Sequence, residues 1–454
     1  MIIAAILAGI TLIFLFRRFL KCPIDAKPLV QVIVLGDVGH SPRMQYHALS
    51  LAETGKVRVE LIGFPGSNPI GAVERHPDIS IRHVWPLYIP LSWKVPFVVY
   101  GILKVTIESV QLFLVLLLTS YTPEFVLLQC PPAVPALGIC GFVCMFSGSK
   151  LVVDFHNITH MHLKAKIKSE AIITPVRLYE KLCSRLFVSS ALCVTKTMKE
   201  YLEKDFGLRS VHVLYDRPGP QFAGRTSQVA KGDLENRLIA RGILKKPFSA
   251  FDFIIVSSTS WTPDEDFSLL LEALPEYSAK TLGKRTLLFI TGKGQMKDSF
   301  VDKFNDKNFQ NIHLITAWLP SSDYPLVLGA ADLGVCMHTS TSGLDLPMKV
   351  VDMLACETPV VALKYPALKE LLGSSEEGGV LFSHVPSELS EGLLALTVGE
   401  QSKEKREKFK RFGAKFRQSA SWKSEWTTAA WGPVFERLIP KRSRQTRRRL
   451  LGSS

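Results

Sequence analysis

Short apolar runs rich in β-branched residues recur along this chain without polar alternation. VQVIVLGD (Val30–Asp37) comes first and VRVELIGF (57–64) second; FVLLQC (Phe125–Cys130), KLVVDFH (Lys150–His156), ALCVTK (Ala191–Lys196) and VHVLYD (Val211–Asp216) follow. A strand with no polar side must be covered on both faces, so strands of this kind spaced by helical segments form a parallel sheet between helical layers. The stretch Arg217–Phe248, with PGPQFAGRTSQ, reads as a connection. The pattern then restarts in FIIVSST (Phe253–Thr259), TLLFITGKG (Thr286–Gly294), IHLITAWL (Ile312–Leu319), DLGVCMH (Asp332–His338) and TPVVALK (Thr358–Lys364). The chain is therefore expected to be α/β, with two doubly wound Rossmann-like domains facing across a cleft at the carboxyl ends of their sheets. The boundaries read 1–20 for a membrane anchor, 28–216 and 249–436 for the two domains, 217–248 for their connection and 437–454 for a basic tail.

The anchor rests on MIIAAILAGITLIFLF, sixteen residues without a charge, followed by Arg17, Arg18 and Lys21. A cleaved signal peptide carries its charge before the apolar run and a small-residue cleavage site after it. Here the order is reversed, so the segment reads as an uncleaved anchor. The arginines place the bulk of the chain on the cytosolic side. A surface-lying helix is the alternative. A second apolar region, Pro96–Thr119, is interrupted by Lys104, Glu108 and Gln111 on roughly one face. It reads either as a helix in the membrane interface or as an ordinary buried helix.

The formal net charge is +14, and the tail concentrates Lys441, Arg442, Arg444, Arg447, Arg448 and Arg449 with no acid after Glu436. Such a tail is solvated or leans on anionic lipid headgroups. No aromatics are interleaved with its charges, which argues against a nucleic-acid surface. The eight cysteines form no CxxC pair, consistent with a reducing compartment and no structural metal.

Five loops that follow strands carry the candidate chemistry. GDVGHSPRMQYHA offers Gly36 and Gly39 for a tight turn and Asp37, His40 and Arg43 as polar groups; it lacks the dinucleotide-binding glycine spacing. DFHNITHMHL ends a buried strand with Asp154, His156 and Asn157, and its histidines do not have zinc-ligand spacing. SSTSWTPDEDF supplies Ser257, Ser258, Thr259 and Ser260, more hydroxyls than one helix cap needs, with Asp264–Asp266 placed in the first helical turn. TGKGQMK presents Lys293 between two glycines. TSTSGLDLPMKVVDM sets Ser342, Gly343 and Leu344 at an expected helix start, with Pro347 in its first turn. Exposed amides and the helix dipole there suit a diphosphate, Lys349 adds charge, and Asp352 one turn on suits a ribose.

Together, GDVGHSPRMQYHA, LLQCPPAVPAL, KLVVDFHN, VLYDRP, SSTSWTPDEDFSLLLEAL, ITGKG and SGLDLPMKVVDMLACETPVVA resemble the GT-B glycosyltransferases, and within them the chitobiosyldiphosphodolichol β-mannosyltransferases of the dolichol pathway. The resemblance runs in order from about residue 30 to 365. It implies GDP-mannose as donor, a lipid-linked diphosphate chitobiose as acceptor, and a β1,4 bond made with inversion. It also implies a single-pass protein of the endoplasmic reticulum membrane with its domains in the cytosol, and other dolichol-pathway mannosyltransferases as partners. No cofactor is required and no metal is assigned, with Mg2+ stimulation left open. Two departures stand out. The first acid of the last motif is shifted, with Leu344 in its place and Asp345 beside it, and Phe155 replaces the usual tryptophan of a D-W-H-N stretch.

On this reading Ser258, Thr259, Ser260, Lys293, Ser342, Gly343, Leu344, Lys349 and Asp352 bind the donor, and Gly36, Gly39 and Arg43 lie on the acceptor side. Asp37 is the first choice of general base and His40 the second, while His156 and Arg43 steady the sugar or diphosphate. The rivals are a retaining enzyme or one using another sugar nucleotide, and a membrane scaffold without turnover.

Overall fold

The computed structural model describes residue 23 and residues 26–86, 97–119, 121–167, 169–262, 265–281, 283–373, 377–419 and 421–440. The expected anchor and most of the basic tail lie outside the described residues. The chain forms two compact units, one running to Tyr215 and resuming at Glu425, the other spanning Asp216–Ser424.

The first unit contains β1 (Leu29–Asp37), β2 (Arg58–Phe64), β3 (Ile79–His83), β4 (Phe125–Cys130), β5 (Lys150–Phe155), β6 (Val188–Cys193) and β7 (Val211–Val213). They pair in parallel in the order β3-β2-β1-β4-β5-β6-β7. The chain turns one way from β1 and the other way from β4, so the switch point of the sheet lies between these two strands. Its helices include α1 (Pro42–Glu53), α2 (Phe97–Leu117), α3 (Ala136–Ser147), α4 (Thr159–Lys166) and α5 (Glu170–Phe187). Met44, Ala48, Leu51 and Ala52 form the buried stripe of α1, at the spacing of one helical face. β3 was not expected. It is an edge strand whose residues are half-buried or exposed, so it lacks the unbroken apolar run that marks the central strands.

Helix α2 settles the two readings of 96–119 in one respect. Only 17% of its apolar window is buried, so it is not an ordinary core helix.

The return of the chain corrects the expected boundary at 436. Trp426 and Phe435 are buried in the first unit. Phe435 stacks on Phe125 of β4 with ring centroids 5.2 Å apart, and the Trp426 Nε1–H donates to His47 Nδ1 at 3.0 Å. Two large aromatic surfaces leave water this way, which a boundary drawn from strand count does not register.

The second unit holds β8 (Phe253–Ser258), β9 (Thr286–Thr291), β10 (Ile312–Ala317), β11 (Leu333–Cys336), β12 (Val360–Leu363) and β13 (Gly379–Phe382). Their order is β10-β9-β8-β11-β12-β13, all parallel, with the switch point between β8 and β11. β13, another short edge strand, also went unpredicted. The stretch 217–248 is not a mere connection. It belongs to the second unit, where Leu234 and Leu238 are buried one turn apart and Arg237 pairs with Asp323 at 2.9 Å.

Because His47 Nδ1 accepts from Trp426, its Nε2–H donates to Asp154, 3.1 Å away, and the ring is neutral. Burial pushes this imidazole below its ordinary value despite the pull of Asp154. The unfolded chain therefore takes up the proton first, so stability is full above about pH 6.5 and is lost as pH falls below it. Urea titrations should show a loss approaching 1.4 kcal/mol per pH unit, roughly, between pH 6.5 and 5, which His47→Gln abolishes. An unchanged slope in the variant would rule the assignment out.

Candidate active site

In the first unit the polar groups gather where β1, β4 and β5 end. Asp37 closes β1, and both of its carboxylate oxygens are engaged. Oδ1 accepts the Gly39 N–H at 2.8 Å; Oδ2 accepts the Ser67 N–H at 2.9 Å and lies 2.8 Å from His40 Nδ1. Burial raises this carboxyl, but the bonds from Ser67, His40 and Gly39 outweigh it and hold it down at about 2. The His40 side chain is 77% exposed. Donating Nδ1–H to the carboxylate leaves Nε2 as the basic nitrogen of that ring.

Two glycines make this clasp possible. A Cβ on Gly39 would stand 2.3 Å from the Ser67 carbonyl oxygen, and one on Gly66 would stand 2.4 Å from Asp37 Oδ2. Gly36 differs from expectation. It lies inside β1, and an added Cβ would meet nothing closer than 3.6 Å, so it makes no tight turn.

Arg43 also departs from its expected acceptor-side role. It is buried and grips Asp154 with two bonds, Nε to Oδ2 at 2.7 Å and Nη2 to Oδ1 at 2.9 Å. Asp154 is fully buried at the end of β5 and also takes His47 and His156, the latter at 2.9 Å. Burial opposes its ionisation, yet the Arg43 charge and the two histidines hold its carboxyl well below the usual range. His156 remains a quarter exposed. Only β4 separates β1 from β5, so Asp37 and Asp154 end strands two positions apart in the same sheet. His160 is turned inward to Glu180, at 2.7 Å, and Glu180 accepts the first amides of α4.

In the second unit a residue missed by the sequence reading organises the loops after β8 and β11. Glu265 is buried; its Oε2 accepts the Thr259 hydroxyl at 2.7 Å and the Ser260 N–H at 2.8 Å, and its Oε1 pairs with Lys349. It also bridges to His338 through the backbone. The acidic run PDEDF concealed it, because first-turn acids already have a reason to be there. Asp266 serves as the cap of α6 (Phe267–Lys280), accepting the Ser268 N–H at 3.0 Å.

The hydroxyls of the serine cluster divide their work. Ser257 donates to the Val335 carbonyl at 2.8 Å, Thr259 serves Glu265, and Ser260 is exposed. Ser258 lies 3.2 Å from the hydroxyl of Tyr324, a second residue that the sequence reading did not single out. That hydroxyl is also 3.5 Å from Asp352 Oδ2. Burial pushes the Asp352 carboxyl up to about 8, against the pull of Tyr324. Gly292 and Gly294 answer to backbone crowding: a Cβ would fall 1.8 Å from the Thr259 oxygen and 1.9 Å from that of Ser260. Between them Lys293 is exposed and its Nζ lies 4.8 Å from the Trp318 ring centroid.

The helix start is the clearest correction. Helix α7 spans Met348–Ala355, so Ser342–Leu344 precede it in a loop. The Gly343 amide donates to Ser340 Oγ at 2.8 Å and the Leu344 amide to Ser342 Oγ at 3.2 Å, which occupies the amides assigned to a diphosphate. Pro347 is extended, with φ −77° and ψ 111°, and caps the helix from outside. A residue before proline avoids the helical region, so Leu346 blocks any earlier start. Lys349 and Asp352 remain on α7, close to Ser258, Thr259 and Ser260 through Glu265 and Tyr324.

A family model of group 1 glycosyl transferases matches residues 245–416, within the second unit. The chitobiosyldiphosphodolichol beta-mannosyltransferase of Yarrowia lipolytica is 39% identical, over 91% of this chain and 89% of its own. The UDP-glycosyltransferase TURAN of Arabidopsis thaliana is 36% identical, over 81% and 88%. Among solved structures, sucrose-phosphate synthase from Thermosynechococcus elongatus has a similar fold, with a TM-score of 0.64 at 14% identity, covering 94% of this chain and 100% of its own. Two parallel Rossmann-like sheets and relatives of this identity along nearly their whole length make the chain a member of the chitobiosyldiphosphodolichol beta-mannosyltransferase family of GT-B glycosyltransferases.

Proposed function

We propose that this enzyme transfers mannose from GDP-mannose to a chitobiose diphosphodolichol acceptor with inversion, forming a β1,4 bond on the cytosolic side of the endoplasmic reticulum membrane. The observation that carries the chemistry is the Asp37–His40 pair: an exposed imidazole oriented by a carboxylate that is itself too weak a base to serve. His40 Nε2 takes the proton of the acceptor hydroxyl as the oxygen bonds to the anomeric carbon. The bond from that carbon to the diphosphate breaks, and GDP leaves with the electron pair. Asp37 stabilises the imidazolium. This moves the base from Asp37, the first choice on sequence grounds, to His40.

Charge on the departing diphosphate is met by Lys349 at the first turn of α7, by the dipole of that helix and by Lys293. Ser258, Thr259 and Ser260 line the neighbouring loop, and Asp352 accepts a ribose hydroxyl. Ser342, Gly343 and Leu344 act by shaping the loop ahead of α7, not through helix-start amides. His156 contacts the acceptor from the end of β5. The name of the Arabidopsis relative favours a second reading in which the donor nucleotide is UDP.

With labelled GDP-mannose and a lipid diphosphate chitobiose analogue, His40→Ala should lower kcat by about 10²–10⁴-fold with little change in donor KM. Turnover within about threefold of wild type would remove His40 from the chemistry. Transfer from a UDP-sugar in place of GDP-mannose would instead support the second reading. Lys349→Met should weaken GDP binding by roughly 10–100-fold, and adding Glu265→Gln should recover stability without recovering affinity. If the double variant binds GDP normally, Lys349 is only a structural partner of Glu265.

Asp352 makes an opposite pH signature to His47. Its carboxyl is raised in the folded state, so the stability tied to it is full below about pH 4 and is lost as pH rises towards about 8. Asp352→Asn should flatten the decline in melting temperature of the second unit between pH 5 and 8; a parallel decline in both proteins would contradict a buried, neutral Asp352.

A further inference from the structure

Most of the exposed large hydrophobic side chains among the described residues sit on three helices of the first unit, α2, α3 and α5. These helices are neighbours. α2 packs on α3, and α3 packs on α5, where the Tyr179 hydroxyl donates to the Pro135 carbonyl at 2.9 Å. Each turns an apolar stripe outward at helical spacing: Val110 and Leu114 on α2, Phe142 and Phe146 on α3, Leu182 and Leu186 on α5. Phe142 and Phe146 also pack on each other, with centroids 4.6 Å apart. Scattered exposed leucines need no explanation, but contiguous stripes on adjacent helices do.

We propose that this three-helix face is sunk into one leaflet of a lipid bilayer, a membrane contact of the first unit additional to the apolar segment at residues 1–16. Three features favour lipid over a protein partner. Helix α2 has the length and mean hydropathy, 1.6 over 19 residues, of a membrane span. It does not span, because its other face is fastened to the unit. Leu112, Leu116 and Glu108 are buried, and Arg82 of β3 donates to the Val115 and Leu118 carbonyls at its carboxyl end. A helix fixed along one side offers only its outer half to hydrocarbon, as interfacial helices do.

The second feature is charge. On α5 each exposed leucine is preceded by a cation: Arg177 before Leu178, Lys181, which also pairs with Asp205 at 3.7 Å, before Leu182, and Arg185, which also donates to the Phe206 carbonyl, before Leu186. Cations flanking an apolar stripe suit a plane of anionic headgroups above hydrocarbon. The third is reach. Residues 17–28 join the amino-terminal apolar run to β1 and extend at most about 42 Å, so an inserted run would hold this unit close to the same bilayer. The proposal rests on the proposed membrane location and not on the donor or the linkage.

Its test is the full chain in a Cys22→Ser background, with single cysteines at 146 or 182 and at the control position 229, each carrying an environment-sensitive fluorophore. The other cysteines are buried thiols and label poorly. Val229 of the second unit is 77% exposed. The proteins are reconstituted into phosphatidylcholine vesicles containing phosphatidylinositol. Spin-labelled lipid should remove most of the emission at 146 and 182 and little at 229, while aqueous iodide should do the reverse. Probes at 146 and 182 that behave like the one at 229 would overturn the proposal. So would probes that neither quencher reaches, which would mean that a second copy or the amino-terminal segment covers the face. Neither readout uses turnover, so failure here and failure of the transfer reaction are separate results.

Discussion

A carboxylate placed where water cannot reach it must find its compensation in the protein. The first unit is arranged around that constraint at Asp154. Its two oxygens take a two-point grip from Arg43 on α1 and bonds from His47 and His156, and His47 in turn takes the indole N–H of Trp426. One buried charge thereby ties β5, α1 and the returning end of the chain together. The arrangement explains why Arg43, polar and near the strand ends, is not available to a ligand. It also leaves His156 oriented and partly exposed, the one member of the set that a substrate can touch.

The second unit solves a similar problem with Glu265. Its carboxylate joins the loop after β8 to α7 after β11, on either side of the switch point, through Thr259, Ser260 and Lys349. Strand loops diverge at a switch point, and a ligand site there needs something to hold the loops in register. Gly292 and Gly294 complete the packing by letting a third loop run against the Thr259 and Ser260 carbonyls. The two glycines of TGKGQMK are thus required by backbone contact, and the lysine between them is what they present.

Much of this was legible in the residues. All central strands announce themselves, because a strand covered on both faces cannot carry polar alternation. Of the four edge strands, β7 and β10 were read from their apolar runs, but β3, half-buried or exposed throughout, and β13, only four residues long, were not. Asp37, His40, His156, Lys349 and Asp352 were identifiable because they follow strands, where open α/β sheets expose their chemistry. The proposed choice of His40 over Asp37 as base was not legible, because it rests on Ser67, which approaches from the loop after β2 and occupies the carboxylate.

The sequence by itself determined the fold class, two parallel sheets, the family and the loops that bear the site, because these follow from patterns a few residues long. Only the tertiary structure decided that 425–440 completes the first unit, that Glu265 and Tyr324 organise the second, that α7 begins after Pro347, and that α2 and α5 both pack on α3 while apolar side chains of all three stay exposed. Each of these is a contact between segments far apart in the chain, and local spacing contains no information about which distant group will satisfy a buried charge or leave a helix uncovered.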